Sequence, residues 1–175
     1  MAFMNKEQYL LSIKAENRPG LLHLITGMIE KKLISIKSLS LAPTDIHDIV
    51  LITVEVIAKE SDVSQMALKI ENIIEVFSVS AVKYEQAVCL RVAYFKMDKA
   101  FLESPKAIAL SKYEAIILKF YPDHFLLAKY GSDATILKLY NALDGPHLMG
   151  FIQSGLIADT ALICEDQSSV IRQAA

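Results

Sequence analysis

The sequence predicts an α+β protein made of two sandwiches in tandem, each with the element order β-α-β-β-α-β. Three observations carry this. Period-2 and period-3.6 apolar patterns succeed one another in that order over residues 1–85. The order then recurs over residues 86–166 without any repeat of the sequence itself. Apolar runs stay strand-sized throughout, and none approaches the roughly 18 residues of a membrane-spanning helix.

In the first half, Tyr9, Leu11, Ile13 and Ala15 alternate with Gln8, Ser12 and Lys14, the mark of a half-buried strand. Glu16-Asn17-Arg18-Pro19-Gly20 breaks it. Proline suits the first helical position, which puts the helix cap at Asn17 or Arg18. Leu21, Ile25, Met28 and Ile29 then recur at helical spacing. Over residues 34–41 the apolar positions are Ile34 and Ile36, then Leu39 and Leu41. That change of phase near Lys37-Ser38 predicts a bulge inside a strand. Ala42-Pro43-Thr44-Asp45 is a turn cluster, and Val50, Ile52, Val54 and Val56 make the branched face of a third strand. Ser61-Asp62 predicts a cap for a helix with the stripe Val63, Met66, Ala67, Ile70, Ile73, Ile74 and Phe77. Residues 76–83 return as a strand.

The second half opens with a strand over residues 88–95. Residues 97–103 are polar enough for a loop, and residues 104–111 read as a short helix with Pro105 in its first turn. Strands follow over residues 115–120 and 125–130. Gly131-Ser132-Asp133 caps a helix carrying Ile136, Leu137, Leu139, Tyr140 and Leu143, which Gly145-Pro146 ends. Residues 148–157 form a last strand, and the small, polar residues 167–175 are expected to be a flexible tail. The domain boundary falls near Tyr84-Glu85-Gln86, giving domains of 1–85 and 86–166. Each is the split βαβ arrangement of ferredoxin-like folds, an antiparallel sheet with helices on one face.

Composition narrows the function. With 53% hydrophobic and 22% charged residues in 175, the chain can fill two cores and is not disordered. A mean hydropathy of +0.35 also leaves apolar surface that something should cover. The 18 Lys and Arg against 20 Asp and Glu are dispersed, which argues against a nucleic-acid surface or a polybasic membrane tether. Residues 1–9 lack a basic region followed by an apolar one, so no signal peptide is expected. Cys89 and Cys164 are distant and in no CxxC pair. They read as reduced thiols of a cytoplasmic protein, Cys89 buried in a strand.

Reaction machinery is not visible. His23, His47, His124 and His147 stand at no zinc-ligand spacing, and His47 between Asp45 and Asp48 reads as a solvated turn. Glu60 with Asp62 and Glu165-Asp166 read as caps or solvated faces. Neither GxGxxG nor GxxxxGK[ST] occurs. Binding potential concentrates at Asn17-Arg18-Pro19-Gly20, where a strand runs into a helix. A helix N-terminus offers amide donors to a carboxylate, and Gly20 lets a ligand approach the backbone. Asn17 supplies both a donor and an acceptor. Leu21, Leu22 and Ile36 are expected to line an apolar pocket beside it, a chemistry that suits a small aliphatic amino acid. The competing reading is an ordinary capped helix.

Glu16-Asn17-Arg18-Pro19-Gly20-Leu21-Leu22, followed by Ile36-x-Ser38-Leu39-Ser40-Leu41-Ala42-Pro43-Thr44, resembles the ACT domain of acetolactate synthase (acetohydroxyacid synthase) regulatory small subunits. Tyr130-Gly131-Ser132, then Gly150-Phe151-Ile152-Gln153-Ser154-Gly155-Leu156-Ile157-Ala158, is similar to that family's closing helix and strand. The resemblance implies a non-catalytic subunit of branched-chain amino-acid biosynthesis. It would bind and activate a catalytic large subunit and confer feedback inhibition by valine. Thiamine diphosphate, FAD and magnesium would belong to that partner. It also implies a homodimer through side-by-side ACT domains. The effector site would be formed by Asn17, Arg18, Pro19, Gly20, Leu21 and Leu22 of one copy and Ser35 and Ile36 of the other. Neither nucleic acid nor membrane is expected as a partner. The alternative is a free-standing amino-acid sensor regulating another protein.

Two departures stand out. Leu33-Ile34-Ser35 occupies the place of the family's Gly-(Phe/Tyr)-Asn. A serine hydroxyl in place of an amide removes contacts worth roughly 1–3 kcal/mol to a buried ligand, so valine sensitivity is expected to be weaker or the effector different. The loop over residues 43–49 lacks the family's Ser-Arg pair.

Overall fold

The computed structural model describes residues 6–160, so the expectations for Cys164, for Glu165-Asp166 and for the tail lie outside the described residues. The described residues divide into two units, 6–88 together with 156–160, and Cys89–Gly155.

The first unit runs β1 (Glu7–Glu16), α1 (Leu21–Lys31), β2 (Ser35–Pro43), β3 (Ile49–Ala58), α2 (Glu60–Glu71) and β4 (Val76–Lys83). Its antiparallel sheet has the order β2-β3-β1-β4, which leaves β2 and β4 as edges. Strand alternation sends Leu11, Ile13, Val54 and Val56 to one face, where Ile25 and Ile29 of α1 and Met66 and Ile70 of α2 close the core. The predicted bulge is present. Ile36 lies opposite Val56 and Ser38 opposite Glu55, so Lys37 is the extra residue, and both Ile36 and Leu39 reach the core.

The second unit runs β5 (Cys89–Asp98), 3₁₀ turns at Lys99–Glu103 and Pro105–Ile108, α3 (Ala109–Lys112), β6 (Ile116–Phe120), β7 (His124–Gly131), α4 (Asp133–Leu143) and β8 (Leu148–Gln153). Its strand order β6-β7-β5-β8 repeats the first sheet position for position. Both units are therefore ferredoxin-like, as the element order predicts. Phe95, Phe101, Phe125, Leu127, Ile136 and Leu139 form its core. The Ser132 hydroxyl accepts from the Thr135 amide as the predicted cap of α4.

Several local expectations need correction. Lys59, not Ser61 or Asp62, is the N-cap of α2, and no side chain caps that end. The helix also stops at Glu71, because β4 must begin pairing at Val76, opposite Ala15. Ile74 and Phe77 of the supposed stripe are consequently exposed. Residues 97–103 are no polar loop, since Met97 and Asp98 still belong to β5 and both Met97 and Phe101 are part of the core. The helix expected over 104–111 is mostly 3₁₀, with α-helix only from Ala109. The last strand ends at Gln153. A separate short strand, β9 (Ile157–Ala158), lies in the returning segment 156–160, where the Leu156 carbonyl accepts from the Ser40 hydroxyl at 3.0 Å. Cys89 opens β5 and is half-buried.

Candidate functional site

The β1–α1 turn takes its shape from three constraints. Asn17 is held through its backbone, whose N–H donates to the Asp48 carbonyl at 2.7 Å. Arg18 reaches back to pair with the Glu16 carboxylate at 2.8 Å. Gly20 then takes φ +88, in the left-handed region that a residue with a Cβ enters at a penalty, and turns the chain into α1. Gly20 itself is thus the N-cap, which corrects the placement of the cap at Asn17 or Arg18. No side chain caps the helix.

The turn carries both ingredients of zwitterion recognition. The Leu21 amide donates to the Arg18 carbonyl and the Leu24 amide to the Gly20 carbonyl. Between them, the Leu22 and His23 amides lie in a first turn that has no i−4 carbonyl to offer. The space beside the Gly20 Cα is open. On the other side, Arg18 stands among Glu16, Asp48 and Glu75. Its hydrogen bond to Glu16 and the field of all three acids raise its pKa above the ordinary arginine value. Asn17, Arg18, Pro19 and Gly20 are exposed, whereas Leu21 is buried in the core and Leu22 packs partly against it.

Asp48 belongs, in the sequence reading, to the solvated turn around His47 and not to the effector site. It sits in the loop between β2 and β3 at φ +60, and the Thr44 hydroxyl binds the Ile46 and Ile49 carbonyls to close that loop. Asp is one of the few residues found at positive φ, which is the one signal its position offered. His47, nearly fully exposed, pairs with Asp48 at 2.8 Å, as a solvated turn should. Among the described residues no group of three or more His, Cys, Asp or Glu is arranged to hold a metal.

Ser35 and Ile36 sit elsewhere. Ser35 lies opposite Ile57 and Glu16 lies opposite Ile49, eight positions away on β3, or about 27 Å at ~3.4 Å per residue. One chain therefore does not gather Leu21, Leu22 and Ile36 into a pocket, contrary to the reading from spacing. Ile36 packs at the end of the core where α1 finishes. Just before it, Leu33 takes φ +54 and is exposed, with its N–H on the Glu30 carbonyl and that of Ile34 on the Ile29 carbonyl. These bonds are a Schellman motif with a leucine at the position usually given to glycine.

Comparisons with known proteins bear on the family and the fold. A family model described as an AHAS small subunit-like ACT domain matches residues 11–78. The chain is similar to the acetolactate synthase small subunit of Mycobacterium bovis, 21% identical over 156 residues, covering 89% of this chain and 93% of that protein. The protein of the same description from Haemophilus influenzae is 21% identical over 151 residues, covering 85% of this chain and 93% of its own. Among solved structures, the Thermotoga maritima acetolactate synthase small subunit superposes with a TM-score of 0.78 at 14% identity. That match covers 87% of this chain and 96% of the other, and it shows that the two share a fold.

Proposed function

From the match of residues 11–78 to the AHAS small subunit-like ACT domain, we propose that the chain is the regulatory, non-catalytic small subunit of an acetolactate synthase. It binds and activates a catalytic large subunit in the cytoplasm and mediates feedback inhibition in branched-chain amino-acid biosynthesis. The thiamine diphosphate, FAD and magnesium of the reaction belong to the catalytic partner. No helix among the described residues is long and apolar enough to cross a membrane.

The observation that carries the effector reading is the separation of the two half-sites. β2 is an edge strand of its sheet, the kind of strand that can pair with a second copy. Two such edges joined antiparallel about a two-fold axis near Leu39 set Ser35 of one copy opposite Pro43 of the other. Pro43 pairs with Val50, which pairs with Ala15, next to the Asn17–Gly20 turn. A homodimer thus unites what one chain keeps apart. The ligand carboxylate meets the amides at the head of α1, its ammonium meets the acids around Arg18, and its side chain meets Leu22 and Ile36. Valine fits that description. In the second unit Leu90, Val92 and Tyr94, at alternate positions of β5, are exposed together with Tyr130 opposite Val92 and Ile152 opposite Tyr94, and support a large partner surface.

The test is a valine titration of the complex reconstituted with a catalytic subunit, with Ser35→Asn in parallel. The wild-type chain should raise the rate and valine should lower it. Ser35→Asn should tighten valine by about ten- to a hundredfold, the equivalent of roughly 1–3 kcal/mol of restored amide contacts. No rate change on mixing removes the regulatory-subunit reading, and a response to other amino acids alone reassigns the effector.

A further inference from the structure

A fully buried carboxylate stands behind the bulge of β2 and belongs to neither half-site. We propose that Glu55 is the positioning residue of the effector edge, clamping the Lys37 bulge and so fixing where Ser35 and Ile36 are presented. This rests on the reading that two β2 edges build the site.

The geometry is specific. Glu55 is 0% exposed, on the sheet face turned away from α1 and α2. One carboxylate oxygen accepts from Gln8 Nε2 at 2.6 Å and lies 3.1 Å from Lys37 Nζ, and the other accepts from Ser38 Oγ at 2.8 Å. Two of these donors are therefore the extra residue of the bulge and its neighbour, and the third comes from β1 on the far side of β3. Leu10, opposite Glu55 on β1, is also fully buried, so burial alone would favour an apolar side chain there. A carboxylate is tolerated because its donors satisfy it. Its bonds in turn hold Lys37 and Ser38 on the face away from the core.

The bulge decides the phase of the edge. Ile36 and Leu39 both face the core because one residue is inserted between them. If Lys37 were drawn into regular pairing, every side chain before it would change face, and Ser35 would exchange places with Ile36. Ser35 and Ile36 are the residues that the edge offers to a second copy. A clamp on the bulge is a clamp on their presentation.

The experiment uses the full chain with Glu55→Gln, Lys37→Ala, their double variant, and Met66→Ala as a control for lost core stability. It reads amide hydrogen exchange at residues 36–39, the dimer dissociation constant by ultracentrifugation, and valine affinity by calorimetry. Glu55→Gln should speed exchange at the bulge and weaken valine binding, each at least tenfold. Met66→Ala should spare both. Lys37→Ala should reproduce part of the loss, and the double variant should be no worse than Glu55→Gln, as expected of two groups in one clamp. Unchanged exchange in a folded Glu55→Gln overturns the proposal. So does faster exchange with valine affinity kept, or a loss of affinity matched by Met66→Ala. If Glu55→Gln does not fold, Lys37→Ala, whose side chain is part-exposed, carries the same comparison. If the wild-type chain binds no valine, the effector reading falls instead. The exchange and dimer measurements then decide on Glu55, which stands only if both change.

Discussion

Replacing Leu33 with glycine should stabilise the first unit. Leu33 is the left-handed residue that ends α1, at φ +54, and its side chain is 89% exposed, so its packing contributes almost nothing. The left-handed region disfavours a residue with a Cβ by roughly 1–2 kcal/mol. Glycine relieves that penalty but gives back roughly 0.5–1 kcal/mol through the greater freedom of its unfolded chain. The net gain is about 0.5–1 kcal/mol, or about 3–6 °C in Tm for a unit of this size. Both Schellman bonds, Leu33 N–H to Glu30 and Ile34 N–H to Ile29, survive because they are backbone bonds. Urea denaturation measures the change, and hydrogen exchange at the amides of Ile52 and Val54 assigns it to the first unit. Leu33→Ala is the control, since alanine keeps the penalty and should differ little from the wild-type chain. If Leu33→Gly is neutral or destabilising, or if alanine stabilises equally, the assignment of strain to this residue is wrong.

Phe101→Ala should destabilise the second unit by about 3–5 kcal/mol, because the ring is 1% exposed and packs on Phe125 and His147. Thermal denaturation should show that loss, and a small change would mean that the 3₁₀ turn repacks easily. Glu7 donates nothing but accepts from Lys83 at 2.6 Å, and that hydrogen bond and ion pair hold its carboxyl below the usual value. A depressed carboxyl stabilises the fold above its unfolded pKa, and the contribution disappears as pH falls through the folded value. Lys83, raised by the same pair, loses its share only as pH rises through its own folded value. The Tm difference between wild type and Glu7→Gln should therefore be present at neutral pH and close in acid. A difference that persists at pH about 3 would assign it to something other than charge.

The legible part of the fold was what neighbours in sequence decide. Alternation over Tyr9–Ala15 and Val50–Val56 and helical spacing over Leu21–Ile29 placed those elements, and the broken alternation between Ile36 and Leu39 placed a bulge near Lys37-Ser38, where the register shifts. Ser132 was readable as a cap because its hydroxyl acts on an amide three residues away. The errors fell where a distant partner overrules local preference. Phe101 lies in a polar stretch but is drawn into the core by Phe125. Ile74 continues a helical stripe, yet the pairing of Val76 with Ala15 ends the helix before it. At the turn, the binding chemistry of Asn17–Gly20 could be read from residue types, whereas the contribution of Asp48 depended on a backbone bond between loops.

By itself the sequence determined which residues alternate, which recur at helical spacing and where the chain must bend, because those properties follow from the backbone geometry of a few adjacent residues. Only the tertiary structure decided that β2 is an edge, that Ser35 and the Asn17–Gly20 turn lie at opposite ends of the sheet, and that Glu55 is buried behind the bulge. Those facts depend on strand order and register. Both are set by packing between residues tens of positions apart, which no local pattern records.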